Sequence, residues 1–222
     1  MGKVNKEITF DPVQEVIFNE FARDKNLSGK FYFTGGTALS AVYLHHRVSE
    51  DLDFFSEKEF DNQPIIEFIR HVSSVLKMEY RMIPKEVVRI FELYKQDKFV
   101  IKVDFGFYPY QRLKTGKKVK GVSVDSLADI AANKILTILQ RKEVKDFVDL
   151  FFLLRKYTVW DLLHFVKVKF NMEIDTVWLA SGFLKAGSFE NLPKMLVPMD
   201  LGELKNFYRD LAVKLGKSVV KK

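Results

Sequence analysis

Three carboxylates stand where they could do chemistry. Asp51 and Asp53 lie two apart in Arg47-Val48-Ser49-Glu50-Asp51-Leu52-Asp53-Phe54, and Asp104 stands alone in the apolar run Phe99-Val100-Ile101-Lys102-Val103-Asp104-Phe105-Gly106-Phe107. Residues two apart in a strand share a face. Asp51 and Asp53 should therefore project together, with Leu52 and Phe54 on the opposite, buried side. Carboxylates that close repel unless a positive charge lies between them. The natural occupant is a hard divalent cation, most often Mg2+ bound to nucleotide phosphates. The competing reading, a solvated acidic strand end, sits poorly with Leu52, Phe54 and Phe55. In the later run Ile101, Val103, Phe105 and Phe107 share one face, and Lys102, Asp104 and Gly106 the other. An ionised Asp104 there is costly unless paired or metal-bound. The competing reading is the exposed face of an edge strand.

A second segment could hold phosphate. Phe33-Thr34-Gly35-Gly36-Thr37-Ala38-Leu39 reads as strand, turn and helix start. Two residues without Cβ let a backbone approach a phosphate closely, and the amides of a helix N-terminus favour the anion. Thr37 could cap the helix or touch the phosphate. A plain tight turn is the alternative, and the loop is no Walker motif, since no Gly-Lys-Ser or Gly-Lys-Thr follows. Arg47 and Ser49 precede the acidic pair. Arg47 could orient Asp51 or Asp53, touch a phosphate, or form a structural salt bridge, and the sequence leaves these open. His45 and His46 are helical neighbours about 100° apart, a poor arrangement for one shared metal.

The elements that must position these residues follow from periodicity. Residues 11–27 read as a helix capped by Asp11 with Pro12 in its first turn. A strand at 30–34, the Gly-Gly turn, a helix at 37–46 and a strand at 50–55 come next. An amphipathic helix spans 61–77, followed by strand-like runs at 79–83, 86–94 and 98–107. Residues 114–118 form a basic turn, and 118–124 one more short strand. Everything beyond is helical: 126–141, 144–157, 160–170, 175–185 and 202–215, with a frayed basic tail. The expected architecture is α/β (α+β): a mixed β-sheet with flanking helices at 1–124, then a helical domain at 125–222.

Composition narrows the chemistry. The 222 residues include no cysteine and 4 histidines, which excludes disulfide frameworks, cysteine-zinc sites and thiol catalysis. The hydrophobic share of 47% with 29% charged residues is that of a globular chain able to build a core. No apolar run approaches the ~20 residues a membrane span needs, and MGKVNKEITFDP lacks the apolar stretch of a signal peptide. The expectation is a cytoplasmic protein without membrane contact. A formal charge of +7 suits polyanionic partners.

A Gly-Gly turn after one strand, Asp-x-Asp on the next and a single Asp on a third resemble the nucleotidyltransferase superfamily. GGTALSAVYLHHRVSEDLDFFS resembles, more closely, the opening motif of the AbiEii-like nucleotidyltransferases. That family includes toxins of AbiE-type phage-resistance systems and MenT-type tRNA-modifying toxins. Leu127-Ala128-Asp129-Ile130-Ala131-Ala132-Asn133-Lys134 resembles its lysine-bearing helix. Arg141 with Lys145-Asp146-Phe147-Val148-Asp149-Leu150 resembles its Arg…Lys-Asp-x-x-Asp segment. The likeness runs from about residue 30 to 155. It departs at Gly35-Gly36, where the superfamily usually has Gly-Ser, and Asp104 is placed by strand spacing rather than by a local signature.

The resemblance implies a Mg2+-dependent nucleotidyltransferase moving a nucleoside monophosphate from a nucleoside triphosphate to an acceptor hydroxyl. tRNA is one candidate acceptor, and a toxin role with a cognate antitoxin partner is part of what the family suggests. Asp51, Asp53 and Asp104 would be catalytic and metal-binding, with Gly35, Gly36, Thr37, Arg47 and Ser49 at the nucleotide. Lys134 would counter the triphosphate, and Lys145, Asp146 and Asp149 would help wall the site. Without the resemblance, Asp146 and Asp149 read as exposed helical acids paired with Lys142 and Lys145 four residues earlier, at about 0.3–0.5 kcal/mol each. Lys114, Lys117, Lys118 and Lys120 would attract a polyanionic acceptor. Two alternatives are a non-catalytic nucleotide-binding module and a metal-dependent phosphodiesterase.

Overall fold

Asp11 opens the first helix. Its carboxylate accepts the N–H groups of Val13 and Gln14, and the Gln14 side chain accepts the Asp11 N–H, closing a capping box on α1 (Pro12–Arg23). The computed structural model describes residues 9–220. Most of the segment read as lacking signal-peptide character lies outside the described residues. The chain divides into two compact units, one comprising the chain through His45 with Ser49–Tyr110 and Gly116–Asp125, the other His46–Val48, Gln111–Thr115 and everything from Ser126. A linear boundary at 124/125 has no means of assigning the two short segments to the second unit.

The first unit carries a sheet of order β1-β2-β5-β4-β3. Its strands are β1 (Tyr32–Thr34), β2 (Leu52–Ser56), β3 (Glu79–Pro84), β4 (Val88–Lys95) and β5 (Lys98–Phe107). β2 and β5 run parallel, and the remaining pairs antiparallel. The sheet is therefore mixed, as the sequence suggests. Gln96 and Asp97 join β4 to β5 with φ of 50° and 59°, the left-handed pair that a two-residue hairpin turn demands. β5 lies at the centre of the sheet, not at an edge, so the exposed-edge reading of Asp104 falls. Helices α1, α2 (Lys25–Ser28) and α4 (Asn62–Leu76) complete this unit, with the segment after β1 treated below.

Strand alternation decides which side chains enter the core. Leu52, Phe54, Val103 and Phe105 are fully buried, while Asp53 and Lys102 turn the other way. Phe54 stacks on Phe21 at 4.0 Å between ring centroids and lies 5.4 Å from Phe105. Buried rings of this size contribute strongly to the apolar stabilisation of a core. The predicted strand at 118–124 is a small hairpin instead, β6 (Lys118–Val119) and β7 (Val122–Ser123), turning through Lys120 and Gly121 at φ 49° and 88°.

The second unit is helical: α5 (Leu127–Gln140), α6 (Val144–Leu153), α7 (Val159–Phe170), α8 (Thr176–Leu184) and α9 (Leu201–Val220). Ser126, Thr158 and Asp175 cap α5, α7 and α8 through their side chains. Tyr208 is fully buried against Phe147 and Phe183, and its hydroxyl donates to the Phe147 carbonyl at 2.6 Å. α6 stops at Leu153, short of the expected 157. α9 continues through most of the predicted frayed tail, whose last two residues lie outside the described ones.

The two inserted segments are fastened by their backbones. Arg47 bridges Met195 in antiparallel fashion, Val48 N–H donates to Lys194 O at 2.8 Å, and Leu196 N–H donates to His46 O at 2.9 Å. The buried Asp129 carboxylate accepts the N–H groups of Leu113 and Lys114 and pairs with Lys169 at 2.9 Å.

Candidate active site

The residues singled out by sequence fall into two groups, one in each unit. In the sheet unit the chain passes from β1 into a helix without a loop. Gly35, the first helical residue, has a φ of +75°, so the Gly-Gly pair is the opening turn of α3 (Gly35–Ala38) rather than a separate turn. α3 continues as a π-helix over Leu39–Leu44 and ends at His45 in the left-handed region, φ 51°. Thr34 precedes α3 without capping it. Its hydroxyl donates to Asp125 at 2.7 Å.

Glycine at position 35 is required by more than the dihedral. A Cβ placed there would lie 2.0 Å from Asp53 Oδ2. The Asp53 carboxylate thus occupies the space that the missing side chain leaves. Asp53 pairs in register with Thr34 on one side and Asp104 on the other. In-register neighbours point to the same face of a sheet, so Asp53 and Asp104 project side by side. Asp51 lies just before β2, not within it.

Thr37 is buried and neither caps the helix nor points out of the fold. Its hydroxyl donates to the Asp51 carbonyl, and its oxygen lies 2.9 Å from the Ser49 hydroxyl. One hydroxyl carries one proton, so Ser49 must donate to Thr37. The Gln14 side chain reaches the Ser49 carbonyl at 2.8 Å from α1. Thr37 and Ser49 therefore fix the backbone that carries Asp51.

Lys102 sits among the acids. Its Nζ lies 2.6 Å from Asp104 Oδ2 and 3.7 Å from Asp51 Oδ2. Burial alone would lower its pKa, yet the charges of Asp53, Asp104 and Asp51 outweigh burial and raise it. Burial raises the pKa of Asp104 in spite of the Lys102 ammonium. Asp104 Oδ1 is buried and has no hydrogen-bond partner.

These residues fit a hard divalent cation on two grounds. The donors are carboxylate oxygens, one of them buried and unsatisfied, and an ammonium already stands among them as a positive charge. Among the described residues no three such donors are already drawn together as a bound ion would draw them. The sequence placed Lys102 on the face of Asp104 but gave it no role. The i, i+2 spacing was the available signal.

In the helical unit the second group is buried and fully ionic. The Arg47 guanidinium holds Asp149 with two bonds, Nε to Oδ1 at 2.7 Å and Nη2 to Oδ2 at 2.8 Å. This is the structural salt bridge among the readings open for Arg47, though its partner is not one of the acids near it in sequence. Lys134 Nζ lies 2.6 Å from Asp149 and 2.8 Å from Asp146, which also takes Arg141 Nε at 2.7 Å. Asp146 and Asp149 are thus held by Arg47, Lys134 and Arg141, where the sequence offers Lys142 and Lys145 as partners on an exposed face. Both acids are fully buried, and Lys145 is half-buried on α6.

The electrostatics of this group are strongly biased. Burial would raise Asp149, but the Lys134 charge and the bonds from His46 and Arg47 hold it far below the usual carboxylate range. Lys134 is raised, the Asp149 and Asp146 charges overcoming burial. His46 Nε2 lies 2.8 Å from Asp149 Oδ1, and burial lowers its pKa despite that contact, keeping the ring neutral at pH 7. Its Nδ1 is buried without a hydrogen-bond partner. Sequence reasoning passed over His46, whose partner lies 103 residues away and leaves no local trace.

Of the basic residues read as attracting a polyanion, two are engaged within the sheet unit. Lys117 Nζ donates to Val42 O at 3.1 Å above the Tyr43 ring, and Lys120 Nζ reaches Asn19 at 2.6 Å. Lys114 and Lys118 are exposed.

Two solved structures have a similar fold. A nucleotidyltransferase candidate from H. pylori has a similar fold, with a TM-score of 0.58 at 21% identity over 93% of this chain and 95% of that one. JHP933 from Helicobacter pylori gives a TM-score of 0.57 at 22% identity, covering 93% of this chain and 92% of that one. At such identities the likeness is one of fold. The uncharacterized protein aq_aa25 of Aquifex aeolicus (strain VF5) is 37% identical over 142 residues, 62% of this chain, and the chain spans 64% of that protein's length. Residues 19–206 match the family described as nucleotidyl transferase AbiEii toxin, type IV TA system. A match over that much of the sequence, with the Gly35–Asp53 packing and the Asp53–Asp104 register beneath it, shows that the chain belongs to the AbiEii nucleotidyl transferase toxin family.

Proposed function

We propose that this chain transfers a nucleoside monophosphate from a nucleoside triphosphate to an acceptor hydroxyl, with tRNA as the acceptor. The observation that carries the reading is the in-register pairing of Asp53 with Asp104 beside a glycine whose missing side chain makes room for the Asp53 carboxylate. Asp51, Asp53 and Asp104 would hold Mg2+. When bound, the ion would supply Lewis-acid activation of the acceptor hydroxyl and charge neutralisation on the departing pyrophosphate.

Each unit's own residues would contribute separately to this reading. Gly35 and Gly36 bring backbone amides at the start of α3 within reach of phosphate oxygens, and no side chain caps that start. Thr37 and Ser49 position Asp51 through the bonds described above. In the helical unit Arg47, Lys134 and Arg141 face Asp146 and Asp149, so with His46 neutral the group carries one positive charge in excess. The proposed contribution of this group, with Lys145, to nucleotide binding comes from that surplus rather than from an unpaired Lys134 ammonium. The formal charge of +7 supports a polyanionic acceptor. A toxin role with a cognate antitoxin follows the family description.

The test is incorporation of label from each α-labelled nucleoside triphosphate into total tRNA, with wild type and Asp53→Ala in the presence of Mg2+. The expected result is label in RNA with wild type alone and release of pyrophosphate. Cleavage of RNA without incorporation would replace transfer by phosphodiester hydrolysis. Neither reaction, with no Mg2+-dependent nucleotide binding, would leave only a scaffold role.

A further inference from the structure

The position of Lys102 raises a question that the transfer chemistry does not answer. β5 carries Asp104 in register with Asp53, and the lysine two residues before it extends its ammonium to Asp104 and toward Asp51. The 2.6 Å contact to Asp104 Oδ2 and the 3.7 Å approach to Asp51 Oδ2 put one positive charge where a divalent cation would have to sit to share the same oxygens. The match is incomplete. Asp104 Oδ1 is left buried and without a partner, as expected where an ammonium substitutes for an ion that gathers more oxygens. The lysine side chain is 28% exposed, so it has a route out. Its flexible stem lets the charge leave without disturbing the strand.

We propose that Lys102 is an internal counter-ion that holds Asp51, Asp53 and Asp104 together in the metal-free chain and must be displaced when a divalent cation binds. The inference rests on the metal-binding reading of those acids given under Proposed function. Its consequence is a built-in threshold. The metal competes with a tethered cation, so its apparent affinity is reduced by the fraction of chains in which the lysine occupies the acids. Without metal, the same lysine relieves the repulsion that three carboxylates would otherwise feel.

Mn2+ is the probe, titrated by electron paramagnetic resonance into wild type, Lys102→Met and Lys102→Arg. Lys102→Met is expected to bind Mn2+ about tenfold or more tightly than wild type, while Lys102→Arg stays near wild type, since the competing charge sets the occupied fraction. The metal-free Lys102→Met protein is expected to melt below wild type, and saturating Mn2+ to close the gap. A folded Lys102→Met protein that binds Mn2+ no more tightly than wild type overturns the inference and leaves the metal site standing. Absence of Mn2+ binding in all three proteins overturns the metal reading and this inference with it. If Lys102→Met does not fold, wild type alone decides the matter. Acetylation of Lys102, read by peptide mass spectrometry, is expected to rise severalfold with saturating Mg2+. Unchanged labelling overturns the proposal.

Discussion

Asp53 Oδ2 lies 2.0 Å from the point where a Cβ on Gly35 would stand. The helix start and the acidic strand are thus built as one object, each leaving room for the other. Gly35→Ala is expected to abolish transfer by pushing the carboxylate off its position, while costing only about 1–3 kcal/mol in strain at a φ of +75°. Activity and thermal melting measured on the same preparation check this. An alanine variant with wild-type turnover would show that the Asp53 position is not critical.

Thr37 separates two roles that are easily confused. If it only positions Asp51, Thr37→Val should lower kcat with little change in KM for the nucleotide, and Thr37→Ser should restore activity by keeping the hydroxyl. A rise in KM at unchanged kcat would instead place the hydroxyl on the phosphate. Steady-state kinetics on the pair of variants distinguishes them.

Asp149 is expected to matter for stability before chemistry. Asp149→Asn strips the buried Arg47 and Lys134 of a shared counter-charge, and breaking a buried pair in this way costs about 3–5 kcal/mol. Denaturant unfolding at pH 7 measures the loss. A variant within 1 kcal/mol or so of wild type would mean that the network is not held rigidly in solution.

The same residue sets an acid limit. Its folded pKa is depressed, so its stabilisation is complete above the unfolded value of about 3.9. Below that value the unfolded chain takes up the proton first. Stability therefore falls with pH until the folded carboxyl also protonates. Asp146 is shifted the same way and adds to the slope. Melting temperatures should change little between pH 6 and about 5, then drop steeply below about pH 4 in wild type and less steeply in Asp149→Asn.

Asp104 makes the opposite demand. Burial raises its pKa, and one oxygen has no partner, so its charge opposes folding of the metal-free chain. Asp104→Asn is expected to raise the melting temperature of that chain while eliminating transfer, the usual conflict between a strained site and stability. Calorimetry and the incorporation assay together test it.

The legible part of this protein is the part written in short periods. The Asp11 cap and the alternation that buries Phe54 and Phe105 depend on residues within a few positions of one another, whereas the register that sets Asp53 beside Asp104 does not. What stayed hidden depends on distance along the chain. Nothing beside Arg47 announces a partner 102 residues away, and local spacing directed Asp146 and Asp149 toward neighbouring lysines on an exposed face. The π-helical turn after Gly36 was equally invisible, because an α- and a π-turn ask for the same apolar residues.

The excursion at His46–Val48 has a consequence for how the molecule is made. Arg47 leaves the ribosome long before Asp149 exists, so the helical unit's buried carboxylate must wait for a guanidinium carried by the early half of the nascent chain. A stop after Asp125 would yield a fragment with that arginine stranded, and a start at Ser126 would yield helices with a buried acid lacking its fork. A gene split at that point parts Arg47 from Asp149, so the two products are expected to fold well only when expressed together.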